Sequence, residues 1–560
     1  WAAMSKIGDT AGSGHGEKNV AIGPGAMAGG DDTDGNNTGY KNIAIGTSTL
    51  GGATRSSDGD AFTAYENVAI GHEAGKDVTT ASQNVMIGHQ AMIGHTAGGQ
   101  GNVAVGYQAL SGSEGTNADY NTVIGQYAGS SFGNNGIYST VLVGRSAGRN
   151  INANAASGQV AIGANALATN TDGVKNTAVG YQALQMNNAD ESVAVGWEAL
   201  KNSAPSVTAG MNTAVGFEAG YTMTTGYRNT VLGHKAGRGI TSGESNIAIG
   251  PDALLVHTTG HYNIAIGHGA MQNNDAGSTS LGSTHNVFMG LNAGGGTWAN
   301  AASNYNVTVG NYTMNNALNG AVYNVAMGYG ALSSTTSADS NVAIGYLAGN
   351  SITTGGSNVL LGHGAGDAIT TKTGVIAIGL GAAGAISTTG DYTIAIGYGA
   401  LGGATIGDGN IAIGYQSMQN ANASGFHRNT AIGYQTMANV GSNSADDNTA
   451  LGYRALASVT TGDDNVAIGS QALEDATTGG DNIAIGQYAM GNRVSGSNNI
   501  AIGSDAQYNS IGSAYNITIG NFAGYNLTTG GSNIFIGNKA GYANKTQGNA
   551  VAIGHEAMGG

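Results

Sequence analysis

Large apolar residues and small residues alternate along this chain in one short pattern that recurs over residues 19–558. The unit is Asn, a β-branched residue, Ala, an aliphatic residue, Gly, two variable residues, Ala, and then Gly, Leu or Met. The large residues three and one positions before Gly share one face of a strand, because side chains alternate between faces. Gly predicts a bend, and the Ala after it begins a second short segment. Residues that typify the unit are Asn102, Gly106, Ala109, Asn341, Gly345, Ala348, Asn482, Gly486 and Ala489.

The unit occurs thirty times, most often 17 residues apart, with Asn opening 24 copies and Ala following Gly by three residues in 26. Chance cannot produce this regularity. A unit this short cannot bury its own apolar face, so successive coils must stack. We therefore predict an all-β protein, a parallel β-solenoid or β-roll of about 30 coils, in which each opening Asn bonds to the coils above and below. The glycine of each copy, called the motif glycine below, stands at positions 23, 46, 71, 88, 106, 125, 144, 163, 180, 196, 216, 233, 250, 267, 290, 310, 328, 345, 362, 379, 397, 414, 433, 452, 469, 486, 503, 520, 537 and 554.

The pattern also predicts how the chain is organised. We expect a lead-in over 1–18, one continuous repeat array over 19–558, and a cut end at 559–560. The chain begins at Trp1 and its last copy of the unit lies next to its other end. We interpret both ends as cuts within a longer protein.

The predicted strand has the order apolar, Ala, apolar, which bears on oligomeric state. A solenoid that stands alone usually presents polar residues to water, whereas here the face opposite the large residues carries Ala. We expect this small-residue face to contact another chain, with a homotrimer favoured and a monomeric solenoid as the alternative.

The repeat resembles the head repeats of YadA-like trimeric autotransporter adhesins. It also resembles the Asn-Thr-Ala-Val-Gly-Tyr-x-Ala-Leu arrays of bacteriophage tail fibres, most directly in 176–184. The resemblance covers residues 19–558 and implies a trimeric, left-handed, parallel β-roll. The chain departs from the adhesin heads in its longer units, and the pattern of these 560 residues predicts no heptad stalk, membrane-anchor barrel, virion-attachment module or self-cleaving chaperone domain among them.

Composition narrows the class of protein. Gly numbers 99 and Pro 3, without a Gly-X-Y period, which excludes collagen. Only 9% of residues are charged, which is unlike a disordered chain. The net charge of −15 argues against nucleic acid and anionic membranes as partners. Cys is absent, which excludes disulfides, and no eighteen-residue apolar run predicts membrane insertion.

No motif predicts catalysis or a cofactor. The segment 379–384 matches Gly-x-Gly-x-x-Gly, but it lies in register with the repeat and outside any βαβ unit. His72-Glu73 and His555-Glu556 fill only the two variable positions of the unit. We therefore expect a protein that is not an enzyme and needs no cofactor.

Three sets of side chains remain as candidate binding sites. His72 and His89 follow successive motif glycines, so stacking brings them about 5 Å apart, where they could hold a metal or simply form a surface ladder. Asp pairs in turns could bind calcium, which prefers oxygen ligands. Four consecutive coils carry Tyr at the same position, and this stripe could contact glycan or serve as packing. The Asp pairs are Asp31-Asp32, Asp446-Asp447 and Asp463-Asp464, and the tyrosines are Tyr398, Tyr415, Tyr434 and Tyr453.

Three functions fit these observations. The first is an extracellular shaft of a trimeric phage tail or virion fibre that spaces or presents a receptor-binding surface. The second is a bacterial surface adhesin of the trimeric autotransporter type, and the third is a subunit that stacks into an extracellular filament. Partners would be other copies of the chain and a cell-surface glycan or receptor. The longer connectors at 24–41, 47–66 and 268–285 are candidate binding loops.

Overall fold

A computed structural model describes residues 18–27, 38–51, 62–95, 99–112, 118–131, 137–151, 157–170, 173–186, 188, 190–202, 210–273, 282–384, 390–402, 406–421, 426–440, 444–492 and 495–559. These residues form an all-β, parallel β-solenoid with strands spaced by ~17 residues, which confirms the predicted fold class. They contain no helix that is long and apolar enough to cross a membrane. Residues 1–17 of the predicted lead-in at 1–18, the pair Asp31-Asp32, residue 560, and parts of the three long connectors lie outside the described residues.

The chain divides into two compact units. In unit 1 (1–275 and 281–284), three-residue strands precede successive motif glycines and pair in parallel with their neighbours, for example Ala248 opposite Ala265. A second short ladder joins the strand Ala118–Asp119 to the strand Ile137–Tyr138. The strands are β1 Val20–Ile22, β2 Ile43–Ile45, β3 Val68–Ile70, β4 Val85–Ile87, β5 Val103–Val105, β6 Ala118–Asp119, β7 Thr122–Ile124, β8 Ile137–Tyr138, β9 Val141–Val143, β10 Val160–Ile162, β11 Thr177–Val179, β12 Val193–Val195, β13 Thr213–Val215, β14 Thr230–Leu232, β15 Ile247–Ile249 and β16 Ile264–Ile266.

Unit 2 (276–280 and 285–560) is built in the same way, with Ala467 opposite Ala484 as one example of the register. Each of its strands ends directly before a motif glycine. The strands are β17 Val287–Met289, β18 Val307–Val309, β19 Val325–Met327, β20 Val342–Ile344, β21 Val359–Leu361, β22 Ile376–Ile378, β23 Ile394–Ile396, β24 Ile411–Ile413, β25 Thr430–Ile432, β26 Thr449–Leu451, β27 Val466–Ile468, β28 Ile483–Ile485, β29 Ile500–Ile502, β30 Ile517–Ile519, β31 Ile534–Ile536 and β32 Val551–Ile553.

The middle residue of each three-residue strand faces the core, and this corrects the expectation that Ala faces a partner chain. Ala343 and Ala484 are fully buried, while Ile344 and Ile483, at the ends of their strands, remain 39% and 36% exposed. A solenoid coil this narrow has room inside for a methyl group but not for two branched side chains. The large residues share one face, as predicted, but that face points outward.

In six coils whose strand has a large middle residue, Gly stands four residues after the motif glycine and leaves room for that residue. A Cβ added at Gly294 would lie 2.6 Å from the ring of Phe288, and one at Gly366 would lie 2.8 Å from Leu360. Carbon atoms that are not bonded do not approach this closely, so a Cβ at either position would overlap the large side chain. Gly avoids the overlap and lets the core keep its normal packing density. The matched pairs are Val123 with Gly129, Leu142 with Gly148, Val231 with Gly237, Phe288 with Gly294, Leu360 with Gly366, and Phe535 with Gly541.

The Asn that opens the unit forms the predicted ladder between coils. Asn465 accepts the backbone N–H of Asn482 at 3.1 Å and its amide at 3.0 Å through one side-chain oxygen. Its own Nδ2 donates to Asn448 Oδ1 at 3.0 Å and to the Gly479 carbonyl at 2.9 Å. Each amide is buried, and buried polar groups need such partners. The ladder therefore holds both the strand and the preceding turn of each coil.

Several corners of each coil have left-handed backbone geometry, and many are not glycine. Gln416 and Gln435, two residues after motif glycines, have φ of 52° and 50°. Left-handed geometry costs a residue with a Cβ roughly 1–2 kcal/mol. The hydrogen bonds of Gln416 N to the Tyr398 carbonyl and of Gln435 N to the Tyr415 carbonyl, at 2.8 and 2.9 Å, offset this cost.

Candidate functional site

Residues directly after the motif glycines point outward and stack along each unit. In unit 2, four consecutive coils place tyrosines there, and these four residues are called the tyrosine ladder below. Ring centroids are separated by 5.2, 4.9 and 5.5 Å along the ladder, with interplanar angles of 10°, 8° and 20°. The tyrosines are 42–49% exposed. The structure thus brings together the stripe that the sequence predicts, Tyr398, Tyr415, Tyr434 and Tyr453.

A row of polar side chains runs beside the tyrosine ladder, on the residues that follow it. Gln435 Nε2 donates to Gln416 Oε1 at 3.0 Å, which fixes the two amides relative to each other. Arg454 pairs with Glu474 at 2.8 Å, and Gln471 donates to the same carboxylate at 2.6 Å. The ladder is therefore bordered by amide groups and by an ion pair whose charges neutralise one another.

Other aromatic stacks at the same position are shorter. Tyr181 and Trp197 in unit 1 have ring centroids 4.2 Å apart, and Phe217 stacks on His234 at 5.3 Å. In unit 2, Tyr329, Tyr346 and His363 form a run of three rings with spacings of 5.4 and 4.9 Å. The tyrosine ladder is the longest run made of a single residue type among the described coils.

His72 and His89 stack as their spacing predicts, with centroids 4.9 Å apart and planes within 15°. A metal binds a histidine in the plane of its ring, so it cannot lie in the planes of two parallel stacked rings at once. His89 in turn stacks on Tyr107 at 5.0 Å. No group of three or more metal-ligating side chains occurs in the part of the chain that the structure describes. The two rings form a surface ladder in the described chain, and metal binding at His72 and His89 stays a prediction.

The Asp pairs of unit 2 are engaged in holding turns. Asp446 Oδ1 accepts the backbone N–H of His427, and Asp463 Oδ1 accepts that of Asp446, both at 2.8 Å. Arg428 binds both carboxylate oxygens of Asp447 at 2.7 Å, and this contact holds the pKa of Asp447 below its usual range. Calcium binding at these pairs stays a prediction for which the described contacts provide no ligand set.

The segment 379–384 follows strand β22 and forms turns of the coil, with Ala382 and Ala383 buried. The backbone N–H of Gly381 donates to the His363 carbonyl at 3.0 Å, and that of Ala383 donates to the Ala400 carbonyl at 2.8 Å. These backbone groups bond to neighbouring coils, whereas a dinucleotide fingerprint directs its N–H groups at phosphate.

Sequence reasoning missed a buried histidine in unit 1. His257 lies seven residues after its motif glycine, a position that is filled by Ile240 in the preceding coil and is fully buried in both. His257 Nε2 is 3.1 Å from Asn263 Nδ2, so the ring contacts the Asn ladder. The sequence contained a signal for this burial, because the position seven residues after the motif glycine is aliphatic in many coils. Ile352 and Ile369 occupy it and are buried.

Acidification should open the coil around His257. Burial lowers the pKa of His257 to about 4, below the value of about 6.5 in an unfolded chain. The folded state therefore binds a proton less readily than the unfolded chain. Above pH 6.5 the ring does not reduce the free energy of unfolding, and as pH falls toward 4 that free energy decreases by up to about 3 kcal/mol. The measurement is amide hydrogen exchange over 246–266, corrected for intrinsic rates, at pH 7 and pH 5.

His257→Asn should remove most of this pH dependence, whereas His234→Asn, at an exposed position, should leave it unchanged. His261 lies close enough to disfavour a charge on His257, and it pairs with Glu244 at 4.0 Å. Protection that is equally pH-dependent in His257→Asn and the unaltered protein would contradict the assignment to this ring.

Comparison with known protein families, with curated proteins and with solved structures finds no match to this chain. The fold and the side-chain ladders are therefore the observations from which a function can be argued.

Proposed function

We propose that this protein is the extracellular shaft of a fibre, formed by three copies of the chain wound as a left-handed parallel β-roll of about thirty coils. The shaft spaces or presents a receptor-binding surface, and its repeat supports assignment to a phage tail or virion fibre. It has no enzymatic role in this proposal.

The observation that carries the proposal is an outward row of large apolar side chains. It is made by the first and last residues of the strands, and we call it the apolar stripe. Ile87 and Ile162 in unit 1, and Met327, Ile344 and Leu451 in unit 2, are 37–44% exposed. An exposed apolar surface that continues from coil to coil is unusual in a soluble chain and is typical of a protein interface.

The repeat indicates what covers the apolar stripe. Its side chains recur once per coil, so a partner must present apolar side chains with the same spacing. Another copy of this chain does so along its whole length, and identical chains associate around closed symmetry axes. Burial of each large side chain would then contribute on the order of 25 cal/mol per Å² of apolar surface removed from water. Three chains, rather than two, follow from the resemblance of the repeat.

Charge on the apolar stripe should separate the chains. In the unaltered protein, sedimentation equilibrium at micromolar concentration should give the mass of three chains. Ile413→Asp combined with Ile432→Asp should give the mass of one, because both half-buried side chains would place carboxylates in the interface. Thr461→Asp, at an exposed turn outside the stripe, is the matched control and should leave the mass unchanged.

A single-chain mass for the unaltered protein would refute the trimer. Masses that increase with concentration beyond three chains would instead favour a filament that grows by stacking.

A further inference from the structure

We propose that the tyrosine ladder of unit 2 binds a neutral, linear, β-1,4-linked polysaccharide that lies along the coils, with one sugar beside each ring. This inference goes beyond the role of a fibre shaft, and it does not rest on the number of chains in the assembly.

The rings of the tyrosine ladder are spaced like the sugars of an extended β-1,4-linked chain. Neighbouring rings of the tyrosine ladder are separated by 4.9–5.5 Å, because each coil adds one strand spacing. An extended β-1,4-linked glycan advances by a closely similar distance per sugar. Rings and sugars therefore stay in register over the four coils. An α-1,4-linked chain of the same sugar coils instead of extending, so it loses this register after the first contacts.

The side chains of the tyrosine ladder and of the residues beside it also suit a neutral sugar. The tyrosine rings lie face to face within the ladder, so they present their edges and hydroxyls outward, to the C–H and hydroxyl groups of a pyranose. The paired amides of Gln416 and Gln435 lie in the same two coils as Tyr415 and Tyr434 and supply further donors and acceptors. The nearby Arg454 is paired with Glu474, and the chain carries −15 overall, so a neutral glycan fits better than an acidic one.

The coil itself does not require these rings. At the same position, coils later in unit 2 carry Ser470, Gln487 and Ser504, and their strands pair in the same register. A requirement for self-packing would apply to those coils as well. Four consecutive tyrosines therefore point to a use outside the coil.

Isothermal titration of the full chain with three neutral oligosaccharides, cellohexaose, fully N-acetylated chitohexaose and maltohexaose, tests this inference. We expect the protein to bind at least one of the two β-linked oligosaccharides, and to bind the α-linked maltohexaose about tenfold more weakly or not at all. Tyr415→Gln combined with Tyr434→Gln should weaken binding about tenfold or more, because two central rings are lost. Glutamine is tolerated at this position, as Gln487 shows.

A second pair of tyrosines provides a matched control. Tyr508 and Tyr525 stack at 5.4 Å, but they lie five residues after their motif glycines and are less exposed. Tyr508→Gln combined with Tyr525→Gln should leave the affinity within twofold. Tyr415→Phe combined with Tyr434→Phe should retain most of the binding, since the rings remain. Absence of binding to both β-linked oligosaccharides at millimolar concentration, or an equal loss in both glutamine variants, would overturn the inference.

Discussion

Replacing Asn465 by Ala should destabilise its own coil and the next by about 3–5 kcal/mol, because several buried groups lose their partners together. The backbone N–H and the side-chain amide of Asn482 both donate to Asn465 Oδ1, and the Gly479 carbonyl accepts from Asn465 Nδ2. All three groups lie in the interior, where water cannot replace the lost amide. Among single side-chain deletions, this one should have one of the largest effects.

Amide hydrogen exchange is the appropriate measurement, because a long repeat array need not unfold in a single step. Protection should fall over 448–499 and stay unchanged around Asn341, since each coil contacts only its neighbours. Asn538→Ala removes an exposed amide in the same unit and should change protection by less than about 0.5 kcal/mol. Equal effects of the two substitutions would show that the Asn ladder does not stabilise the coils.

Replacing Gly486 by Ala should be comparably damaging, for a reason that lies in the backbone. Gly486 has φ of 131°, a region that side chains with a Cβ essentially do not occupy. An added Cβ would also lie 2.5 Å from the carbonyl oxygen of Gly503 in the next coil. Backbone strain and atomic overlap together should lower the free energy of unfolding by about 4 kcal/mol or more, because the overlap can be relieved only by separating two paired coils. Local exchange over 466–503 and sensitivity to protease report the loss.

Gly381→Ala is the matched control for this second prediction. Gly381 also has positive φ, at 61°, but no heavy atom lies within 4 Å of an added Cβ. Gln416 and Gln435 occupy the equivalent position in other coils at similar φ, so the expected cost is only about 1 kcal/mol. If the two glycines proved equally tolerant of Ala, close approach between the motif glycines would not be what restricts them.

Much of the candidate site could be predicted from position alone. Tyr398 and Tyr415 follow successive motif glycines, so parallel stacking of coils necessarily brings them together. The amide pair of Gln416 and Gln435 follows by the same argument. The involvement of Asp446 and Asp463 in backbone hydrogen bonds could not be predicted, because it depends on how each turn lies over the next.

The sequence by itself determined the repeat, the strand before each motif glycine, the parallel stacking and the Asn ladder. A pattern that recurs every 17 residues leaves few ways to bury its apolar residues, and Asn465 can satisfy its amide only through adjacent coils. Tertiary structure alone decided which face of the strand is inside. Both faces are apolar, so alternation could not distinguish Ala343 from Ile344, and the narrow interior selected the smaller residue. The same constraint places Gly294 beside Phe288 and buries His257, since a side chain's place inside a coil depends on the volume its neighbours leave.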